Sequence, residues 1–473
     1  MILTRVDRHI RVARAVVEAV SPLHIGSGRG DEISDADVVR DMNGLPTIPG
    51  SSLTGVLRQM FRDVAGRSER EQKVFGHQSG DDGHGSRLTV SFGLVLGGDG
   101  RPVEGLLSGE RRDDPVLEAL SPRRTPLRRH VRIDHRGVAD AAGHGLFDER
   151  LVPAGCRFLL ELGLVGDGPE YDADFETILG FLAAGFRLGG HTRRGLGLMR
   201  LVRLEGRRFD LMNPADRTAF AKVPVSLAEE ARGLATLAIR PTAAACPRVR
   251  LRFRPRTPWA IGCDGPWGPQ DTADVTAYRE GWIRWNGESA EVGPERVVVP
   301  ATAIKGVLAH RVAWHDHVLA MAERSDREAA LKLVGHDNES VAALFGAAPD
   351  GGDGDPATAG IVLLADAVVD PTPTFAATDL LHHSGIDRFT GGVRSGVLFS
   401  ERLLRPGTEF ETTLEIDRRR TVPARAKEAL RRALEDLAKG RWQLGCGYGR
   451  GHGWVDGSVE WLSGADWLQG TDA

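Results

Sequence analysis

The sequence predicts an α+β protein built of two tandem domains, each running β-α-β-β-α-β with loop insertions. Three observations carry that prediction. The first is a sentence written twice: "VRIDHRGVADAAGHGLFDERLVPAGCRF" (131–158) returns as "SGIDRFTGGVRSGVLFSERLLRPGTEF" (384–410), at a nearly constant offset of 252 residues from Gly155 to Gly407. The second is that further blocks repeat in the same order. "SPLHIG" (21–26) matches "TPWAIG" (257–262), and "IPGSSLTGVLRQMFR" (48–62) matches "VPATAIKGVLAHRVA" (299–313). "VFG" (74–76) matches "LFG" (344–346), "RLTVSFGLV" (87–95) matches "GIVLLADAVV" (360–369), and "RLGGHTRRGLGLMRL" (187–201) matches "QLGCGYGRGHGWVDG" (443–457). The third is length: 473 residues give material for two cores, since single cores stop growing at roughly 250–300 residues.

Each element follows from its residue pattern. Residues 10–20 and 248–256 read as first strands, with Val249, Leu251 and Phe253 alternating with arginines. Leu53, Val56, Leu57, Met60, Phe61 and Val64 fall at helical spacing behind Ser51 or Ser52 as N-cap, and Ile304, Val307, Leu308 and Val312 repeat the stripe. Residues 86–95 and 156–165 read as strands. Phe175, Ile178, Leu179, Leu182, Ala183 and Phe186 mark a second helix, and a last strand begins at Leu196. This order is ferredoxin-like: a four-stranded antiparallel sheet with both helices on one face, the other face left free, as in single-stranded RNA binders of the RRM class. The first domain is placed at 1–205, a linker at 206–247 with the boundary near Thr242, and the second domain at 248–473. Residues 66–86 and 325–358 read as insertions.

Composition narrows the functional class. Hydrophobic content of 41% and charged content of 27% are those of a soluble globular chain, while 59 glycines exceed the average share of about 7%. Cys156, Cys246, Cys263 and Cys446 are too scattered for a disulfide framework or zinc ribbon, which fits a reducing cytoplasm. No run approaches 18 apolar residues, so a membrane partner is not expected. The net charge is −4, yet "PRRTPLRRHVRIDHR" (122–136) concentrates Arg123, Arg124, Arg128, Arg129, Arg132 and Arg136, a local density suited to a polyanion.

The Gly-rich loops "GGHTRRGLG" (189–197) and "GCGYGRGHG" (445–453) let a phosphate backbone approach closely, with main-chain N–H groups, His191, Arg193, Arg194 and Arg450 as donors. Ser51 and Ser52 open a helix, a natural phosphate seat as well as a plain N-cap, and Lys305 stands at the matching helix start. Asp134 and Asp387 read as turn-fixing residues beside Arg136 and Arg388. His77, His84 and His315-Asp316-His317 complete no recognised metal set and read as solvated loops. Trp267, Trp282 and Trp285 read as packing the enlarged second front loop onto its own domain, with base stacking as the alternative.

"LHIGSG…DADVVRDMNGLPTIPGSSLTGVLR", the following "FG", the "GLF…ER…PAG" block and the "GGHTRRGLG" loop resemble the RAMP superfamily of CRISPR-associated proteins, most closely the backbone subunits of type III effector complexes. The resemblance covers most of 10–205 and, with a poorer front end, 248–460. It implies tandem RAMP domains, a CRISPR RNA guide, complementary target RNA, neighbouring effector subunits stacked along the guide, and target cleavage by an aspartate in the loop after the first strand. In this sequence that position falls on Asp35, with Asp37 two residues on; pairing "TADV" with "DADV" sets Thr272 opposite Asp35 and Asp274 opposite Asp37, with Asp271 a further candidate. One carboxylate can deprotonate a ribose 2′-hydroxyl for in-line attack or hold a divalent ion, here Mg²⁺, giving a 2′,3′-cyclic phosphate. Two alternatives stay open: a purely structural RNA-binding subunit, and a guide-processing ribonuclease of the same superfamily.

Overall fold

The computed structural model describes residues 7–30, 34–80, 82–131, 133, 145–243, 246–262, 267, 271–323, 338–347, 357–370 and 373–469. In the first domain β1 (His9–Ala19), α1 (Gly50–Ala65) and β2 (Leu88–Val90) are followed by a hairpin, β3 (Leu127–Val131) and β4 (Leu146–Arg150). Then come β5 (Arg157–Val165), α2 (Pro169–Ala184), the short β6 (Arg194–Gly195) and β7 (Leu198–Asp210). The second domain repeats this: β8 (Arg248–Pro255), an added hairpin of β9 (Arg279–Asn286) and β10 (Ser289–Val299), α3 (Ala301–Glu323) and β11 (Val362–Ala365). Its own long hairpin, β12 (Thr378–His383) with β13 (Phe399–Leu404), precedes β14 (Phe410–Ile416), α4 (Ala424–Ala438) and β15 (Trp454–Ser463).

The four main strands of each sheet pair antiparallel in the ferredoxin-like order, β7-β1-β5-β2 and β15-β8-β14-β11. The helical stripes account for the cores. Leu53, Leu57 and Phe61 of α1 and Ile178, Leu179 and Leu182 of α2 are essentially inaccessible against Ala13, Ala15 and Val17 of β1. Ile304, Leu308 and Val312 of α3 pack with Ala426, Leu430 and Leu434 of α4 on Val249, Leu251 and Phe253. Among the described residues no helix is long and apolar enough to cross a membrane.

Neither sheet leaves a bare platform on its other face. In the first domain, residues 206–210 complete β7, and Ala235–Thr236 add a further strand to it. The intervening chain lies over Ile10 and Val12 with Phe220 and Val223. Arg14, buried on the same face, donates to the carbonyls of Pro224, Ser226 and Glu229. In the second domain Arg250 and Arg252 alternate outward and pair with Glu411 and Glu460 across the sheet. A satisfied ion-pair lattice offers neither aromatic rings nor spare cations, so the free face expected from the RRM analogy is filled in one domain and neutralised in the other.

The halves meet directly. Trp285 Nε1 donates to the Gly155 carbonyl at 2.7 Å, and Ile283, whose N–H bonds the Ala154 carbonyl, is buried in the first domain's core. Of the three loop tryptophans, Trp285 packs onto the other domain because the β9-β10 hairpin carries it there, while Trp267 packs against the second domain's own core and Trp282 Nε1 donates to the Pro294 carbonyl within the hairpin. Gly155 has φ of 84°, and a Cβ there would collide with the Ile283 carbonyl oxygen. Gly155→Ala should therefore lower the melting temperature by several degrees, since a left-handed non-glycine residue alone costs about 1–2 kcal/mol; Gly407→Ala, with the same sign of φ but open space around it, should lower it less.

Candidate functional site

The front loop of each domain is pinned to its hairpin by one recurring pattern. Asp35 N–H and Ala36 N–H donate to the Asp148 carbonyl, and Asp148 N–H returns to Asp35 Oδ2 at 2.8 Å. In the second domain Asp274 N–H and Val275 N–H donate to the Ser400 carbonyl, and Ser400 N–H returns to Asp274 Oδ2 at 2.7 Å. Ala36 bridges Glu149 as Val275 bridges Glu401. The structural partner of Asp35 is therefore Asp274, not Thr272, and the frame drawn from "TADV" is two residues out. Thr276 takes the place of Asp37.

The two aspartates differ in what surrounds them. Asp35 is exposed and lies beside a second carboxylate, Asp148, whose Oδ1 is buried without a hydrogen-bond partner. At the Asp148 position the second domain has Ser400, whose hydroxyl also donates to Asp274 Oδ2 at 2.8 Å. These backbone and hydroxyl hydrogen bonds hold the Asp274 carboxyl below its ordinary range, making it a weaker base. Asp37 accepts from Val38 N–H and pairs with Arg40. Asp271 is not available for chemistry: its side chain is wholly buried against Arg402 and receives the N–H groups of Trp267 and Ala273. Burial alone would raise its pKa, but the Arg402 hydrogen bond and these two N–H groups outweigh it.

Beneath each Gly-rich loop sits a buried glutamate that sequence reasoning passed over. Glu149 accepts from His130 Nε2 at 2.6 Å and His191 Nδ1 at 2.5 Å; Glu401 contacts His383 Nε2 at 2.9 Å and Arg450 at 2.8 Å. Burial pushes the Glu149 carboxyl up, and the two histidine hydrogen bonds more than reverse this, holding it well below the carboxylate range. Each hairpin also stacks a histidine on a phenylalanine, His130 on Phe147 and His383 on Phe399, with Arg194 or Arg450 over the ring. The signal was the repeated "ER" dipeptide, 149–150 and 401–402. A glutamate recurring on a strand that also supplies core residues calls for a buried partner. His191 itself has φ of 55° and stacks on His24.

The expected phosphate contacts divide. Arg129 and Arg194 are exposed, Arg450 is 44% exposed while holding Glu401, and Arg388 is exposed at a hairpin turn built by Asp387, which accepts from Phe389 and Thr390 N–H. Arg128 is not a surface residue: its guanidinium is buried between Glu280, at 2.5 and 2.9 Å, and Asp366, at 2.7 Å, both from the second domain. Arg193 donates to the Gly360 carbonyl and pairs with Asp417, again across the junction. Ser51 and Ser52 lie inside the first turn of α1, whose N-cap is Pro49 without a side-chain cap, so the serines are not spent on capping. Lys305 lies over the Phe345 ring, where burial and the nearby Arg194 and Arg193 push its ammonium down to about 8. Arg132, Asp134 and Arg136 lie outside the described residues.

The remaining histidines are placed by packing. His315 and His317 lie within α3, not in solvated loops; His315 Nε2 bonds Asp436 at 2.6 Å, and Asp316 accepts from Asn338, Ser340 and Arg425. His77 faces His84 across a short hairpin. Among the described residues no three metal-ligating side chains converge.

Two ferredoxin-like domains with matched hairpins, front-loop aspartates and Gly-rich loops define a duplicated module. A family model for the RAMP superfamily matches residues 16–200 and 252–456, and the chain belongs to that superfamily. No curated protein matches it. Solved structures similar to it include chains of a type III-B Cmr-beta complex in the apo state and bound to cognate target RNA. Each shares 16% identity and a TM-score of 0.32, over 40% of this chain and 96% of that chain.

Proposed function

We propose that this chain is a guide RNA-binding backbone subunit of a type III CRISPR effector complex and that it cuts paired target RNA from its first domain through Asp35. The observation that carries this reading is the doubled register: an aspartate at one fixed place against a hairpin in both halves, with a second carboxylate beside it only in the first. RNA would lie along the hairpins and Gly-rich loops, because the sheet faces are covered or neutralised. Mg²⁺ fits the oxygen donors of Asp35 and Asp148, since it is bound through one or two carboxylates plus substrate phosphates; when bound it supplies charge neutralisation at the phosphate. Asp35, exposed on the front loop, would take the proton of a ribose 2′-hydroxyl. The decisive experiment is sequencing of RNA that co-purifies with the chain and its co-expressed neighbours, where repeat-derived guides are expected and their absence overturns the reading.

Phosphate contacts should be additive and sequence-independent. Arg194→Ala and Arg450→Ala should each weaken guide binding across all sequences and reduce the slope of log K against log salt by about 0.7 per lost contact, measured by filter binding over a salt series. An unchanged slope and affinity would place both guanidinium groups away from RNA.

A further inference from the structure

The two Gly-rich loops share one backbone. Leu188 N–H donates to the Gly197 carbonyl as Leu444 N–H donates to Gly453, and Gly190 N–H donates to the His24 carbonyl as Cys446 N–H donates to Ala260. Arg194 N–H closes a turn on the His191 carbonyl, and Arg450 N–H closes the same turn on Gly447. Both turns open on a left-handed residue, His191 with φ of 55° and Gly447 with φ of 74°. The two arginines therefore leave the backbone at the same place. Each lies over the equivalent ring of its hairpin, Arg194 at 6.0 Å from the centre of Phe147 and Arg450 at 5.6 Å from that of Phe399.

From there the guanidinium groups part. In the second domain one carboxylate oxygen of Glu401 receives the hairpin histidine, His383, and the other receives Arg450 at 2.8 Å. In the first domain one oxygen of Glu149 likewise receives the hairpin histidine, His130, but the other is taken by His191 Nδ1 at 2.5 Å. Among the described residues Arg194 pairs with no carboxylate, and it is exposed. Its charge bears instead on Lys305, whose ammonium is pushed down by burial first and by Arg194 next. His191 is also the only non-glycine residue at positive φ among the described residues, held there by Glu149 and by its stack on His24. A side chain in that conformation costs energy that glycine, which makes the same turn in the second domain, does not.

We propose that His191 is a positioning residue for RNA binding: by occupying the second oxygen of Glu149 it keeps that carboxylate from capturing Arg194 and leaves the guanidinium free for a phosphate. This rests on the reading of the Gly-rich loops as RNA contacts, and it gives the two loops unequal parts. Arg194 meets the phosphate with its whole charge, and Arg450 with a charge already shared with Glu401. A buried carboxylate oxygen left without a donor is costly, and a guanidinium is a strong donor to it. Without the imidazole, Arg194 would fill the vacancy, because Arg450 does so from the same turn and over the same ring.

The test uses the full chain and two readouts: filter binding of labelled polyuridine RNA, and the rate at which phenylglyoxal modifies Arg194 in the RNA-free chain, followed by peptide mass mapping. His191→Gly supplies the residue that the matching turn already carries, so the loop keeps its conformation, which the melting temperature checks. It should slow Arg194 modification and weaken RNA binding, each by about tenfold, the factor carried by a hydrogen bond between charged groups. In an Arg194→Ala chain the same substitution should weaken binding no further. Adding Glu149→Gln to His191→Gly should restore both readouts, because a neutral amide still accepts from His130 but does not hold a guanidinium as a carboxylate does. Unchanged Arg194 reactivity in His191→Gly overturns the proposal. So does a loss of affinity that persists in the Arg194→Ala or Glu149→Gln background, which would make His191 itself the phosphate contact. Arg194 reactivity that follows His191 in a wild-type chain that binds no RNA would uphold the positioning role and overturn the RNA reading.

Discussion

Asp35→Asn is expected to abolish one set of target-RNA cuts while leaving guide binding and complex assembly intact. A carboxylate acting as general base or metal ligand contributes typically 10²–10⁴-fold in rate, whereas an anionic group near phosphates gains nothing in the bound ground state. Asparagine is the sharper choice than alanine because Asp35 Oδ2 also receives the Asp148 N–H. An amide oxygen keeps that hydrogen bond and the loop's register while removing the charge and the basicity. Asp148→Asn should reduce cutting by a smaller factor and raise the Mg²⁺ concentration needed for half-maximal rate, since one donor of a shared cation is weakened. Asp274→Ala should leave the cut pattern unchanged, because its carboxylate already serves Ser400 through two hydrogen bonds. The measurement is cleavage of labelled target RNA by assembled complexes, with product ends mapped and an EDTA control. Full cutting by Asp35→Asn would move the role to Asp37, and loss of a set of cuts in Asp274→Ala would make the second domain active as well.

The duplicated fold was legible because it rests on periodic patterns that a repeat doubles: the α1 stripe of Leu53, Leu57 and Phe61 returns in Ile304, Leu308 and Val312, and both stripes are buried. The register of the second front loop was not legible. The β9-β10 hairpin lengthens that loop by an amount no local pattern reveals, and only the backbone bonds of Asp274 to Ser400 fix it. Arg128 was misread for a different reason. A run of arginines was scored for local charge density, but β3 is a strand, and alternation sends Arg128 inward and Arg129 outward. What lay in its path, Glu280 and Asp366, comes from 152 and 238 residues away, beyond any sequence-local argument. The buried Glu149 and Glu401 were visible as repeat markers, yet each pairs with a histidine across its hairpin and with a residue of the distant Gly-rich loop, His191 or Arg450, whose closeness is tertiary.

Arg128 therefore makes the second large prediction, and it separates two readings of the same residue. If its guanidinium belonged to RNA binding, Arg128→Met would lower guide affinity and leave stability alone. The geometry says the reverse. Removing this cation leaves Glu280 and Asp366 buried at 6% and 5% side-chain exposure with no counter-charge between them, and breaking a buried ion pair from one side costs roughly 3–5 kcal/mol. Asp366 also accepts the Ala301 N–H at the start of α3 at 2.8 Å, so its displacement would reach the second core. Arg128→Met should consequently separate the unfolding of the two domains into distinct urea transitions, with a loss that 1 M salt barely changes because the charges are buried. Arg129→Ala, one residue away and exposed, should change stability by no more than about 0.5 kcal/mol. Adding Glu280→Gln and Asp366→Asn to Arg128→Met should recover part of the loss, since neutral amides in the same places need no cation and Asn keeps the Ala301 cap. A single cooperative transition at wild-type stability in Arg128→Met would show that the three charges do not hold the halves together.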